Sequence, residues 1–387
     1  MCCVMKHWEI SFFWMTSIKT FFEKSDDEVR RAHVVELLRV EETRNKQMNP
    51  AKRAKKRAQQ DRHDEENAIE VTEFVDVRKL KLLYERRREF LPADKGQQTI
   101  FFNYYNKTMA ANGQRRVMYL QKDSGNKFGR YTPQNGTSLQ NIRREVRATL
   151  ARDLYWQLDI TNAHPWILIS LAENQGWQTP HLRNYAEHRE EMLAKFGLPR
   201  DVAKQAMLIL MYGGNVKEHI GRHPPLFVGE MKRELVSLAK RIYENFPDLV
   251  KRLKSDTLDR HTRLYSFLSK VLQDREAKCL QIAVKFMKEE GWQPGALIHD
   301  GLLVLKRSDG AVIDKALLDR IAARIEDESG LKNIHFELKQ FEPGIDVDSK
   351  DPLQRLPDSD NLDNQFVIRN IQENVKADEE DVDAMKE

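Results

Sequence analysis

The chain has 387 residues, 32% of them charged, and a formal net charge of +4 at pH 7. Such a length accommodates roughly two or three domains with a substantial core. No run approaches the ~18 apolar residues of a membrane span, and three cysteines cannot build a disulfide framework or a four-cysteine zinc site, which points to an intracellular, reducing compartment.

The near-neutral total conceals an asymmetry. Lys52, Arg53, Lys55, Lys56 and Arg57 form a basic block, whereas half of the last dozen residues are acidic. That pattern suits a polyanion-binding body with an acidic tail, and the block has the composition of a nuclear-localisation or nucleic-acid patch.

In chain order, the opening stretch 1–22 is aromatic-rich, but Lys6, His7, Glu9 and Lys19 interrupt it, unlike a signal peptide. Residues 1–66 read as a charged extension, partly helical around Val34, Leu37 and Leu38 or disordered. The pattern over 67–128 predicts a mostly helical region. Within it, 77–90 is helical and Phe101, Phe102, Tyr104 and Tyr105 form an aromatic cluster. A polar, glycine-punctuated loop is predicted over 122–138, and a helix over 139–150.

Tyr155 to Ile160 reads as a strand, and Asn162 and Pro165 mark the start of a helix. Another helix follows Leu198-Pro199 and stops at Gly213-Gly214. Met231, Leu235, Leu238, Ile242 and Phe246 form one buried stripe that ends at Pro247. A long helix over 264–289 leads into the apolar run 296–305, where His299-Asp300-Gly301 reads as the turn of a β-hairpin. Ile313, Leu317, Ile321 and Ile325 predict an amphipathic helix. Ile334, Phe336 and Leu338 alternate as a last strand, and 343–387 reads as an acidic disordered tail. The sum is an α+β core in which a few strands bear carboxylates and a long helical insertion separates them.

Asp159 at a strand end and Asp300 in a hairpin turn are the residues that point to chemistry. Two carboxylates on adjacent strand ends can hold two divalent cations about 3.5–4 Å apart, as in-line phosphoryl transfer requires. Oxygen ligands suit Mg²⁺, with Mn²⁺ as a substitute. Each Asp taken alone is equally compatible with an ordinary turn or cap. Arg200, Lys204, Leu208 and Tyr212 recur every four residues along one helix face, an arrangement fit for a triphosphate and a stacked base; a solvated basic edge has the same spacing. No Gly-x4-Gly-Lys-Ser/Thr loop, Gly-x-Ser-x-Gly elbow or His-Glu-x-x-His helix occurs.

Together these motifs resemble those of family A DNA polymerases and, more distantly, phage-type single-subunit RNA polymerases. Arg200-x3-Lys204-x7-Tyr212-Gly213 resembles the fingers helix, Asp159 the first catalytic motif and Ile298-His299-Asp300 the third. Gly129-Arg130-Tyr131 followed by Leu139-Gln140-Asn141-Ile142 resembles the signature preceding the first catalytic strand. The order is also the family's, over roughly 129–342.

The resemblance implies a right-hand palm with a small antiparallel sheet, helical fingers at about 165–265 and a reduced thumb-like region over 67–128. Asp159 and Asp300, assisted by the Ile160 carbonyl, would hold two Mg²⁺, and His299 would contact the primer end. Arg200, Lys204 and Tyr212 would bind the incoming nucleoside triphosphate. Arg130, Gln140, Asn141 and Gln273 would hold the primer–template. Replication accessory proteins are further partners of such enzymes.

The implied activity is DNA-directed DNA synthesis without a proofreading exonuclease. His164 stands where the family has a glutamate that excludes ribose, which leaves RNA synthesis, as a primase or transcribing enzyme, as an alternative. Leu208 and Gly301 replace a family aromatic and a third carboxylate. These departures also fit a degenerate palm that only binds nucleic acid.

Overall fold

A computed structural model describes residues 68–91, 95–123, 126–134, 136–220, 224–252 and 260–349. The extension 1–66, with its basic block, and the stretch from 350 onward lie outside the described residues. The described part begins with β1 (Ile69–Phe74), α1 (Val77–Glu85), α2 (Arg87–Phe90) and α3 (Lys95–Ala110), followed by a hairpin of β2 (Gln114–Asp123) and β3 (Asn126–Pro133). Next come α4 (Arg144–Ala151) and β4 (Tyr155–Ile160). A run of helices follows: α5 (Ala163–Glu173), α6 (Pro180–Glu187), α7 (Arg189–Ala194), α8 (Arg200–Met211), α9 (Lys217–Ile220), α10 (Leu226–Asn245), α11 (Pro247–Arg252) and α12 (Arg260–Glu289). The chain then forms β5 (Pro294–Ile298), β6 (Gly301–Leu305), α13 (Lys315–Ser329) and β7 (Phe336–Lys339).

Among the described residues the strands make two antiparallel sheets, ordered β1-β2-β3 and β5-β6-β4-β7. Every residue of β5 and β6 is buried, which is why both read as unbroken apolar runs rather than alternating ones. The Tyr155 ring passes over Gly295, where a Cβ would lie 2.2 Å from the ring. The Tyr155 hydroxyl accepts from Phe74 N at 2.6 Å and donates to Phe74 O at 3.0 Å. This bridge joins the two sheets.

Several sequence expectations match the elements closely, including β4, the β5–β6 hairpin, α8, α10 and α12. Others need correction. The loop predicted over 122–138 contains the end of β2 and all of β3, whose Phe128 and Tyr131 are buried in the core. The stretch 67–128 therefore mixes strands with helices. Helix α4 starts at Arg144 rather than 139, because Ser138–Ile142 forms turns instead. The buried Glu73 carboxylate holds the Leu139 N–H there at 2.9 Å.

Leu338 shares an alternating face with buried Phe336 but is 41% exposed on the sheet's edge strand. Residues 343–349 are ordered onto the core, against the expectation of a disordered tail from 343. Ile345 and Val347 are buried, Ile345 N donates to Thr149 Oγ1 at 2.7 Å, and Arg86 donates to the carbonyls of Asp346, Val347 and Ser349.

Candidate active site

The pairing of β4 with β6 sets Asp159 opposite Gly301, next to Asp300. Ile160 N–H donates to the Asp300 carbonyl at 3.2 Å. In an antiparallel strand the N–H and C=O of one residue point to the same side, so the Ile160 carbonyl also faces this turn. A Cβ at Gly301 would meet Asp159 Oδ1 at 2.2 Å and the Leu158 carbonyl at 2.8 Å. The bare glycine is what leaves room for the first carboxylate beside the second. His299 completes the turn in the left-handed region, at φ 55°, which histidine tolerates better than a branched residue.

The electrostatics of this corner disfavour a second negative charge. Burial, then the charges of Glu276 and Asp159, push Asp300 up to about 6, with Arg130 opposing. His299 is exposed at residue level, yet desolvation by the adjoining walls and the guanidinium groups of Arg130 and Arg147 push its imidazole down to about 4. It is therefore neutral at pH 7. Asp159 is engaged on both oxygens: Gln157 Nε2 donates to Oδ1 at 3.3 Å and Lys339 Nζ to Oδ2 at 2.6 Å.

Beside the carboxylates lies a buried network. Glu276 on α12 pairs bidentately with Arg130 on β3, at 2.7 and 3.0 Å. Its Oε2 is 2.8 Å from His164 Nε2, close enough for charge contact but outside hydrogen-bond alignment. His164 Nδ1 contacts the Tyr212 hydroxyl, with the two rings edge to face. Burial alone would raise Glu276, but Arg130 and then His164 outweigh it and hold the carboxyl at about 2. Glu276 is therefore an anion in a site with 1% exposure.

A third group of charges is cationic. Burial, then Arg189, Lys339 and Arg200, depress the Lys204 ammonium below its ordinary value. Arg200, at the exposed start of α8, pairs bidentately with Glu190 at 2.7 Å. The structure thus gathers Asp159, Ile160, Asp300, His299, Arg130, His164 and Tyr212 at one corner, with Lys204 within electrostatic reach through Lys339.

Four expected residues have other immediate partners. Arg200 faces Glu190. Gln140 is buried and donates to the Tyr131 carbonyl at 3.2 Å, and Asn141 Oδ1 accepts from Ser138 Oγ at 3.2 Å. Gln273 donates to Ser269 Oγ at 3.1 Å and lies beside Gly129. Sequence patterns alone did not single out Glu276 or Lys339. Glu276 had a signal: Leu272, Glu276, Leu280 and Ala283 follow helical spacing, and a carboxylate in such an apolar stripe needs a partner. Lys339 had none, since only the β4–β7 register brings it near Asp159.

Among the described residues, no three His, Cys, Asp or Glu side chains converge as a metal cage. The oxygen donors at the corner are two carboxylates and a backbone carbonyl, the ligand type that hard divalent cations take.

No protein-family model matches the chain. It is 24% identical over 255 residues, 60% of its length, to "Putative helicase V13" of Sputnik virophage, and the match spans 32% of that relative. Among solved structures it overlaps "POL domain of Pol1 from M. smegmatis complex with DNA primer-template and dNTP" at 13% identity and TM-score 0.42, covering 63% of this chain and 50% of that one. An overlap at that score establishes neither family nor function. No helix among the described residues is long and apolar enough to cross a membrane.

Proposed function

We propose that this chain is a template-directed nucleotidyltransferase, a DNA-directed DNA polymerase that extends a primer. The observation that carries this reading is the convergence of Asp159 and Asp300 through the β4–β6 register, beside a cationic face and the Arg130–Glu276 network. Asp159, Asp300 and the Ile160 carbonyl are the ligands for two Mg²⁺ ions. When bound, such ions activate the attacking hydroxyl and neutralise the leaving pyrophosphate. The chain's own cations do the rest electrostatically: Lys204 and Arg200, once exchanged from Glu190, grip the triphosphate. Neutral His299 adjoins the primer end as a hydrogen-bonding group without adding charge, and the Tyr212–His164 pair lines the nucleotide's side of the corner.

Synthesis of RNA is the second reading, favoured by His164, which meets Tyr212 where the related DNA polymerases carry glutamate. No ATP-binding loop in the sequence supports carrying over the helicase name of the virophage relative, of which this chain matches about a third. Primer extension with dNTPs and rNTPs tests both readings. Wild type is expected to incorporate dNTPs in a Mg²⁺-dependent way, and Asp300→Asn to lose this while retaining primer–template binding. Exclusive use of rNTPs would replace the first reading with the second. Undiminished incorporation by Asp300→Asn would sink both.

A further inference from the structure

Among the described residues, Lys339 is the one cation that touches a proposed metal ligand directly. It belongs to edge strand β7, opposite Gln157 and diagonal to Asp159 across the β4–β7 pairing. Its Nζ lies 2.6 Å from Asp159 Oδ2, and half of its side chain is exposed whereas that of Asp159 is 13% exposed. A long, half-solvated side chain on an edge strand can change rotamer without disturbing the sheet. A carboxylate oxygen held by an ammonium is a poor ligand for a divalent cation, because the two cations would repel across one oxygen. The same ammonium is close enough to Lys204 to disfavour its charge, as are Arg189 and Arg200. Like charges gathered at one corner are costly unless an anion joins them.

Resting on the polymerase reading, we propose that Lys339 is a substrate-binding residue that exchanges partners: it guards Asp159 as an internal counter-ion and moves to the nucleotide's phosphates when a divalent cation takes the carboxylate. The exchange couples the arrival of cation and triphosphate, since each relieves a repulsion that the other creates. It also keeps Asp159 charge-balanced between substrates. Lys339 thereby joins Lys204 as a phosphate ligand, contributed by the last strand of the sheet rather than by a fingers helix.

The test compares full-length wild type, Lys339→Gln, Lys339→Arg and Asp159→Asn by Mn²⁺ binding, measured by electron paramagnetic resonance without nucleotide. Calorimetric titration of dATP in the presence of Ca²⁺ supplies the second readout. Lys339→Gln is expected to bind Mn²⁺ about fivefold more tightly than wild type, as loss of a partly exposed ion-pair competitor implies. It should bind dATP about tenfold more weakly, the scale of one charge-assisted contact. Lys339→Arg should restore most of the dATP affinity. Unchanged or weaker Mn²⁺ binding in Lys339→Gln overturns the exchange, and so does unchanged dATP affinity. Mn²⁺ binding that survives Asp159→Asn would instead sink the underlying polymerase reading, and that outcome is read from a different variant.

Discussion

Two buried glutamates titrate in opposite directions from the ordinary value because of how an arginine meets each. Glu276 receives a bidentate guanidinium and stays ionised, whereas Arg115 stands 3.6 Å from Glu73 and leaves burial dominant, so Glu73 rises to about 7. The folded chain therefore binds the Glu73 proton more tightly than the unfolded chain, whose carboxyl titrates near 4.5. The resulting stabilisation is complete below pH 4.5 and disappears as pH rises through about 7. Urea unfolding at a series of pH values should reveal up to about 3 kcal/mol of this loss, and Glu73→Gln should flatten it. On the proposed polymerase reading, Gly301→Ala forces Asp159 aside, so incorporation should fall at least ~100-fold in steady-state assays while the far-ultraviolet circular dichroism stays unchanged. The positions of Asp159 at a strand end and of Asp300 in a hairpin turn were legible in the sequence because each sits in a short local pattern. The crowding that makes Gly301 obligatory was not, since it arises only from strand pairing.

Elements with a strong period were equally legible. The apolar stripe of α10 and the breaker residues around α8 fix those helices locally, and β4, short and apolar, is bounded by turn residues. The β2–β3 hairpin was hidden because its buried Phe128 and Tyr131 lie three residues apart, out of the strand's two-residue alternation, in a polar stretch with glycines. The strap at 343–349 was hidden for a related reason: two buried side chains among Pro, Asp and Gly carry too little hydrophobic signal, and their cover comes from α4 and Arg86 far away in the chain. Ending the chain after 342 instead of 349 should cost about 3–5 kcal/mol in urea unfolding, the scale of burying Ile345 and Val347. An equal midpoint for the two truncations would show that the strap contributes nothing.

At the scale of the whole molecule, the helical insertion between β4 and β5 was foreseen, and so was the carboxylate-bearing sheet. The second sheet was not, and with it the way the Arg130 strand is tied to α12 beside the two carboxylates. Composition and periodicity describe faces of single elements, whereas this tie depends on ionic contacts between elements distant in sequence.

The Tyr155 hydroxyl has a consequence for how firmly the two sheets hold together. It occupies both hydrogen-bonding groups of Phe74 on the side of β1 that faces away from β2, in a buried position. Removing the phenol would leave a buried N–H and C=O without their partner, so Tyr155→Phe should lower stability by about 1–3 kcal/mol in urea unfolding. An unchanged urea midpoint would deny Tyr155 that role.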